Sequence, residues 1–275
     1  MKLSVAANMA NTTLATDAYG TATFLCQFEP ITLTKIDGVS VTKRSISVAP
    51  DVVMPARSAI TIDGQVYLAG HKAPDFWKNK VLRNTVVIQG ADGLANLISI
   101  GNALINVAPV TAYAALVFSR YLPENADSSK YPPQYQVFLA GSESAPANTL
   151  IQLNSVWYMI KESYVSTSGL RIALANTLDE PTFETINFGA QTYDPTFDRF
   201  SGVATSIKIL RVKWQEHFLY LSKSSETYER GDQQIFLPKT VTPKPSDLLT
   251  LSDATWRILA VQDETAYWSC HVRRN

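Results

Sequence analysis

Cysteine is almost absent: Cys26 and Cys270 are the only two in 275 residues. Two thiols build neither a disulfide framework nor a tetrahedral cysteine zinc site, so they read as buried, reduced side chains. Histidine is nearly as scarce. His71, His217 and His271 fall in separate stretches without metal-ligand spacing, and Glu216-His217 lacks the second histidine of a helical zinc motif. Charge of either sign is thin at 17%, and 24 Lys+Arg balance 24 Asp+Glu. That balance argues against a dedicated nucleic-acid binder and favours self-association. With 46% hydrophobic residues the chain is not disordered. It is long enough to bury a core without covalent or metal staples.

Long apolar runs are missing too. The longest, from Leu94 to Val117, is broken by Asn96, Ser99, Gly101, Asn102, Asn106 and Pro109, so no membrane span is expected. Residues 1–8 lack the apolar core of a signal peptide, and assembly in a cytoplasm is the expectation. No Gly-x-Ser-x-Gly elbow occurs, and Gly90-Ala91-Asp92-Gly93 lacks the Lys-Ser/Thr of a phosphate loop. The carboxylate pairs Asp179-Glu180 and Asp263-Glu264 point alternately in loops. No cofactor, metal or catalytic residue is expected.

What is present is period-two alternation rich in Thr, Val, Ile and aromatics. Ile207 to Trp214 reads as a half-buried strand, as does Val39 to Val48. In the last segment Ala266, Trp268, Cys270 and Val272 share one face, with His271 on the other at a strand edge. Asp37-Gly38, Asp63-Gly64 and Arg230-Gly231-Asp232 mark turns. The best helical spacing joins Leu94, Leu97, Ile98 and Leu104, with Asp92 as a possible cap.

The most informative feature is an internal repeat. Ala59-Ile60-Thr61-Ile62-Asp63-Gly64-Gln65-Val66-Tyr67-Leu68 aligns without gaps on 150–159 and on 248–257. Each copy has an apolar pair, a polar residue, an apolar residue, a two-residue turn and a second strand. The turns Asp63-Gly64, Asn154-Ser155 and Ser252-Asp253 use residues that tolerate positive φ. Tyr67, Tyr158 and Trp256 fall at the same step.

The expected fold is therefore all-β: three tandem small antiparallel β-barrel or sandwich modules of about five strands each, with one or two short linking helices. The expected division is an N-terminal arm or short helix over 1–20, module 1 over 21–90 and a linking helix over 91–110. Module 2 then covers 111–178, a linker 179–205, and module 3 206–275.

The repeat phrase of loop, apolar pair, Asp-Gly, strand with Tyr, and strand ending in Arg resembles the small β-barrel proteins of tailed-bacteriophage necks and tails. Residues 246–261, leading to the basic His271-Val272-Arg273-Arg274, are the closest part. The stretch Ala59 to Lys80, with Gly64-Gln65-Val66-Tyr67-Leu68 and Pro74-Asp75-Phe76-Trp77, is also similar to virion structural proteins. Members of that group usually carry one barrel, and this chain would carry three.

The resemblance implies a virion protein with no enzymatic activity, forming a homo-oligomeric ring or collar at the head–tail junction or tail. Its implied partners are portal, neck or tail components, with non-specific contact to packaged DNA possible through Lys43-Arg44, residues 72–83 and Arg273-Arg274. Loops 122–133, 222–233 and 71–80 are candidates to reach neighbours. Candidate interface residues are Phe76, Trp77, Lys78, Lys80, Tyr131, Tyr228, Arg230, Arg273 and Arg274. For Phe76 and Trp77 the alternative is that they close the bottom of their own barrel. The alternative function is a carbohydrate- or receptor-binding β-protein of tail-fibre or lectin-like type, with aromatics stacked on sugars. A hydrolase using loop carboxylates is a third.

Overall fold

The computed structural model describes residues 12–36, 39–55, 57–119, 134–189, 192–194, 199–201, 205–213 and 231–275. Its first barrel is built from β1 (Thr13–Asp17), β2 (Thr23–Phe28), β3 (Thr32–Ile36), β4 (Val39–Val48), β5 (Ala59–Ile62), β6 (Gln65–Trp77) and β7 (Lys80–Gly90). The order β2-β1-β5-β6-β7-β4 is closed by a β2–β4 pairing, and β3 extends β4 beyond the ring.

The second barrel uses β8 (Gly93–Ser99), a short helix α1 (Ile100–Leu104), β9 (Val110–Ser119), β10 (Gln134–Ala140), β11 (Thr149–Leu153), β12 (Val156–Val165) and β13 (Leu170–Leu178). It is closed in the order β10-β13-β12-β11-β8-β9. In the third, β14 (Thr182–Phe188) is followed by a two-stranded ribbon of β15 (Thr192–Asp194) and β16 (Arg199–Ser201). Then come β17 (Thr205–Lys213), β18 (Gln233–Pro238), β19 (Leu248–Thr250), β20 (Thr255–Asp263) and β21 (Tyr267–Arg274). This sheet runs β14-β17-β18-β21-β20-β19 and stays open between its ends.

Read from the first strand of each barrel, the three orders are one order. Three meandering strands are followed by a crossover that lays the fourth beside the first, which is a Greek key. The repeated hairpin is β5–β6, β11–β12 and β19–β20. Tyr67 faces Ile60, Tyr158 faces Ile151 and Trp256 faces Leu249 across it, and all three aromatics are buried in their barrel cores. Each also satisfies or stacks its polar end. Tyr67 donates its hydroxyl to Gln65 at 2.9 Å, Tyr158 meets Tyr135 edge-on at 5.4 Å, and Trp256 donates Nε1 to Asp253 at 3.3 Å.

Two residues past each aromatic the next hairpin carries a bulge. One extra residue is inserted between Ala69 and Lys72, between Ile160 and Glu162, and between Ile258 and Ala260. A bulge at the same step in all three bends the strand where a six-stranded sheet must curl.

Several expectations are corrected. Each barrel has six ring strands, not five, because β1, β8 and β14 each supply a first strand. The segment expected as a linking helix over 91–110 begins with β8, and only five residues of it are helical. Ala95 and Leu97 point into the core while Leu94 is exposed, a two-residue period. Gly93, Asn96 and Ser99 are poor helix formers, and pairing with β9 and β11 satisfies the β8 backbone on both sides. Asp92 does not cap the helix; its carboxylate accepts the Leu116 N–H at 2.6 Å.

The expected 179–205 linker contains β14, which opens the third barrel. Asp63-Gly64 and Asn154-Ser155 do adopt positive φ at both residues. Ser252-Asp253 do not, and Asp37-Gly38 lies outside the described residues. β21 is not an edge strand: it sits between β18 and β20, with His271 buried.

The barrels are joined by packing as well as by chain. Leu68 of barrel 1 meets Ala115, Phe138, Leu170 and Ile172 of barrel 2. On its other side, barrel 2 contributes Ile100, Leu104, Leu150, Met159 and Leu178 to a cluster with Leu210, Val212, Phe236 and Tyr267 of barrel 3. Burying a large apolar side chain of this kind contributes about 1.5–3 kcal/mol. β13 of barrel 2 is thus covered on both faces and carries no exposed residue.

Candidate interaction surface

The hairpin β6–β7 is longer than its counterparts. It extends ten residues past Tyr67, whereas β12 and β20 pair only to Val165 and Asp263. Its stem is held by ion pairs. Arg83 donates Nε to Asp75 at 3.1 Å and Nη1 to Glu29 at 2.9 Å, and Ser47 also bonds Glu29. Lys72 donates to the Val52 carbonyl at 2.9 Å. Beyond the stem Phe76 pairs with Val81 and Trp77 with Lys80. The turn residues Lys78 and Asn79 have φ of 47° and 63°, the sign that a tight two-residue hairpin requires.

The tip is apolar and uncovered. Phe76 is 62% exposed, Leu82 57% and Val81 39%. Leu82 is the extra residue of a second bulge, which turns its side chain away from the regular alternation. Lys78 and Lys80 flank these residues and are exposed. Four of the sequence-derived candidates, Phe76, Trp77, Lys78 and Lys80, are therefore brought together at one tip. The 71–80 segment expected as a loop is strand and turn, and Phe76 does not plug its own barrel.

The other candidates lie elsewhere. Tyr131, Tyr228, Arg230 and the 122–133 loop fall outside the described residues, as does His217. The expected 222–233 loop falls outside them up to 230. Arg273 is on β21 of barrel 3, committed to a partner: its Nε and Nη2 each bond Asp232 at 2.9 Å, and His271 Nε2 meets the same carboxylate at 2.8 Å. The Asp232 carboxylate offsets the Arg273 charge, so Arg273 acts within the barrel; Arg274 is exposed.

Sequence reasoning missed the joint between barrels 1 and 2. Arg57 lies over the Tyr19 ring at 3.9 Å, donates Nε to Glu143 at 2.9 Å and bonds the Thr111 carbonyl. The Tyr113 N–H donates to the Tyr19 hydroxyl at 2.7 Å. Burial, more than any other cause, lifts the Tyr19 hydroxyl above its ordinary pKa. Glu143 also lines a cleft of about 390 Å³ at the α1 end of barrel 2, beside Asn102, Val107 and Val110. Because Arg57 already holds that carboxylate, the cleft carries no uncompensated charge.

Among the described residues no group of three His, Cys, Asp or Glu could hold a metal ion. Burial pushes the Cys26 thiol up to about 11 and the Cys270 thiol to about 12, so neither is a ready nucleophile. No described helix is long and apolar enough to cross a membrane. No family model, curated protein or solved structure matches the chain.

Proposed function

We propose that this chain is a non-enzymatic structural protein of a tailed-bacteriophage virion, assembling as a homo-oligomeric ring or collar at the head–tail junction or in the tail. The observation that carries the assembly part is the fusion of three copies of one Greek-key barrel through buried apolar joints, with the long β6–β7 hairpin exposed and apolar at its tip. Rigid modules with zero net charge suit a subunit that packs against copies of itself. The virion part rests on the likeness of residues 246–261 to neck and tail proteins and of residues 59–80 to virion structural proteins.

On this reading the mechanism is mechanical. The barrels are spacers of fixed geometry, and exposed apolar side chains supply the contacts that close a ring around DNA. The aromatics that mark the repeat are buried, so nothing in their placement favours sugar stacking.

Negative-stain imaging and light scattering of the purified chain test the proposal. A closed ring of uniform subunit number is expected. A particle of monomer mass at every accessible concentration would remove the assembly role. A ring that fails to associate with purified portal or tail components would remove the virion assignment and leave assembly intact.

A further inference from the structure

The three barrels share a turn just before the repeated hairpin, and barrel 2 leaves it unfinished. Ser58, Thr149 and Asp247 each stand one residue before an aligned segment. Each donates its backbone N–H to the carbonyl three residues earlier: Ser58 to Pro55 at 2.9 Å, Thr149 to Pro146 at 3.2 Å and Asp247 to Lys244 at 3.1 Å. In barrels 1 and 3 the side chain closes the same turn. Ser58 Oγ donates to the Pro55 carbonyl at 3.4 Å, and the Asp247 carboxylate accepts the Lys244 N–H at 2.8 Å. Pro146 has no N–H to offer. Thr149 is 2% exposed, and its Oγ1 has no hydrogen-bond partner among the described residues. A buried hydroxyl left unpaired destabilises the fold that holds it.

Thr149 lines the cleft of about 390 Å³ at the α1 end of barrel 2. That cleft is the mouth of the barrel. Ser99 pairs with Thr149, and Leu97 with Val110. All four continue the inward faces that carry Ala95, Ala112 and Ile151 into the core. Yet Val110 is 54% exposed, and Ser99 is exposed as well. Inward residues open to solvent mark a barrel end that its own side chains do not fill. Small residues explain the room: the barrel 2 core includes Ala95, Ala112, Ala114, Ala145, Ala173 and Ala175, whereas the buried cluster of barrel 3 contains no alanine among the described residues. A cleft of this volume suits a small ligand, and barrel mouths are common places for one.

The lining divides into an apolar wall and a polar end. Leu97, Val107, Pro109, Val110 and Pro146 form the wall, and Glu143 and Thr149 supply a buried carboxylate and a hydroxyl. Arg57 offsets the Glu143 charge and is not part of the lining. A cation therefore gains little, and an anion would face a carboxylate. We propose that the mouth of barrel 2 is a binding site for a small neutral molecule with an apolar body and a primary-amide head. The amide N–H donates to Glu143, and its carbonyl accepts from Thr149 Oγ1, which rotation about χ1 presents to the cleft. An alcohol could serve only one of the two partners with its single proton. This site is independent of the assembly reading, and neither needs the other.

The test uses the 275-residue chain and isovaleramide as probe, with isovalerate and isoamylamine as charged molecules of nearly the same shape. Methyl-detected NMR titration of Val- and Leu-labelled protein locates the binding. The amide should bind saturably in about the millimolar range, as suits so small a ligand, and shift the Leu97, Val107 and Val110 methyl signals. Both ions should bind at least about tenfold more weakly.

Two variants sharpen the result. Thr149→Val keeps the shape and removes the unpaired hydroxyl, so it should raise Tm while weakening the amide roughly three- to tenfold. Val110→Phe fills the mouth and should abolish binding, with circular dichroism showing the fold intact. A Thr149→Val chain of lower Tm would show that the hydroxyl is paired within the fold, and would overturn the inference. So would tighter binding of either ion, shifts confined to other methyl groups, or no saturable shift at about 50 mM amide. None of these outcomes bears on whether the chain forms a ring.

Discussion

Barrels 2 and 3 share a strand order but not a way of closing. Barrel 2 joins β8 to β11 by a backbone ladder from Asn96↔Gln152 to Ser99↔Thr149. In barrel 3 the corresponding β14 and β19 form no ladder. The inward residues explain the difference. Barrel 2 places Ala95 opposite Ala112, where barrel 3 has Ile186 opposite Ile207. Gly93 opposite Ala114 becomes Glu184 opposite Ile209, and Ala175 opposite Ile160 becomes Val272 opposite Ile258. Small residues let the first and fourth strands approach to ladder distance; branched ones hold them apart.

Side chains then bridge the seam in barrel 3. Glu184 accepts the Ser252 N–H at 3.1 Å and meets Arg211 at 3.0 Å, while Arg211 also holds Asp253 at 2.7 Å. The lesson is that one topology tolerates two closures, provided that volume inside the barrel and polar groups along the seam change together.

The strongest way to break this comparison is to remove the bridging guanidinium. Arg211 is 8% and Glu184 11% exposed, so Arg211→Met leaves a carboxylate buried without its partner. Denaturant titration should show a loss of about 3–5 kcal/mol. Adding Glu184→Gln to that variant should restore a large part of it, since the stranded charge is the main cost.

Exchanging the core volumes comes next. Ile209→Ala in barrel 3 should cost about 2–5 kcal/mol through a cavity. The converse change at the matching site, Ala114→Ile, should cost about 1–3 kcal/mol through overpacking, with β8–β11 amides losing protection.

The joint offers a third test. Gly169→Ala forces a methyl into the His71 ring at a positive φ, and should cost more than about 1 kcal/mol. Limited proteolysis should then cut between barrels 1 and 2 sooner than in the wild type.

The smallest effect concerns pH. Burial works against the Asp253 carboxylate, but hydrogen bonds from Arg211 and Trp256 outweigh it and hold its pKa below the ordinary value. A carboxyl depressed in the folded state stabilises above its unfolded pKa and loses that contribution as pH falls through the folded one. Asp253→Asn should therefore narrow the fall in Tm on acidification, by an amount limited by the partial exposure of this side chain.

The repeat was legible because its signal is local: an apolar pair, a short turn and an aromatic at a fixed step, all within ten residues. All-β modules followed from period-two alternation. The first strand of each barrel was not legible. β1 is five residues long, β14 lies among residues that resemble a linker, and β8 carries apolar residues at spacings that also fit a helix until Leu94 is seen to face out. The three bulges have no residue signature of their own, being Gly70-His71, Lys161 and Leu259.

At the exposed tip, the chemistry of Phe76 and its flanking lysines was visible in advance. That it stands on the longest of three equivalent hairpins was not, because equivalence is a property of strand order. Arg273 looked like a projecting basic residue because its partner, Asp232, is 41 positions away.

Hydrogen exchange across the two seams measures the central claim most directly. If one Greek-key unit is copied three times and closed differently, amides of Thr149 to Gln152 and of Asn96 to Ser99 in barrel 2 should exchange slowly. Those of β19 and of the outward edge of β14 should exchange faster, while β20–β21 amides stay as protected as β12–β13. Equal protection along both seams, or loss of protection spread evenly through barrel 3, would contradict the account.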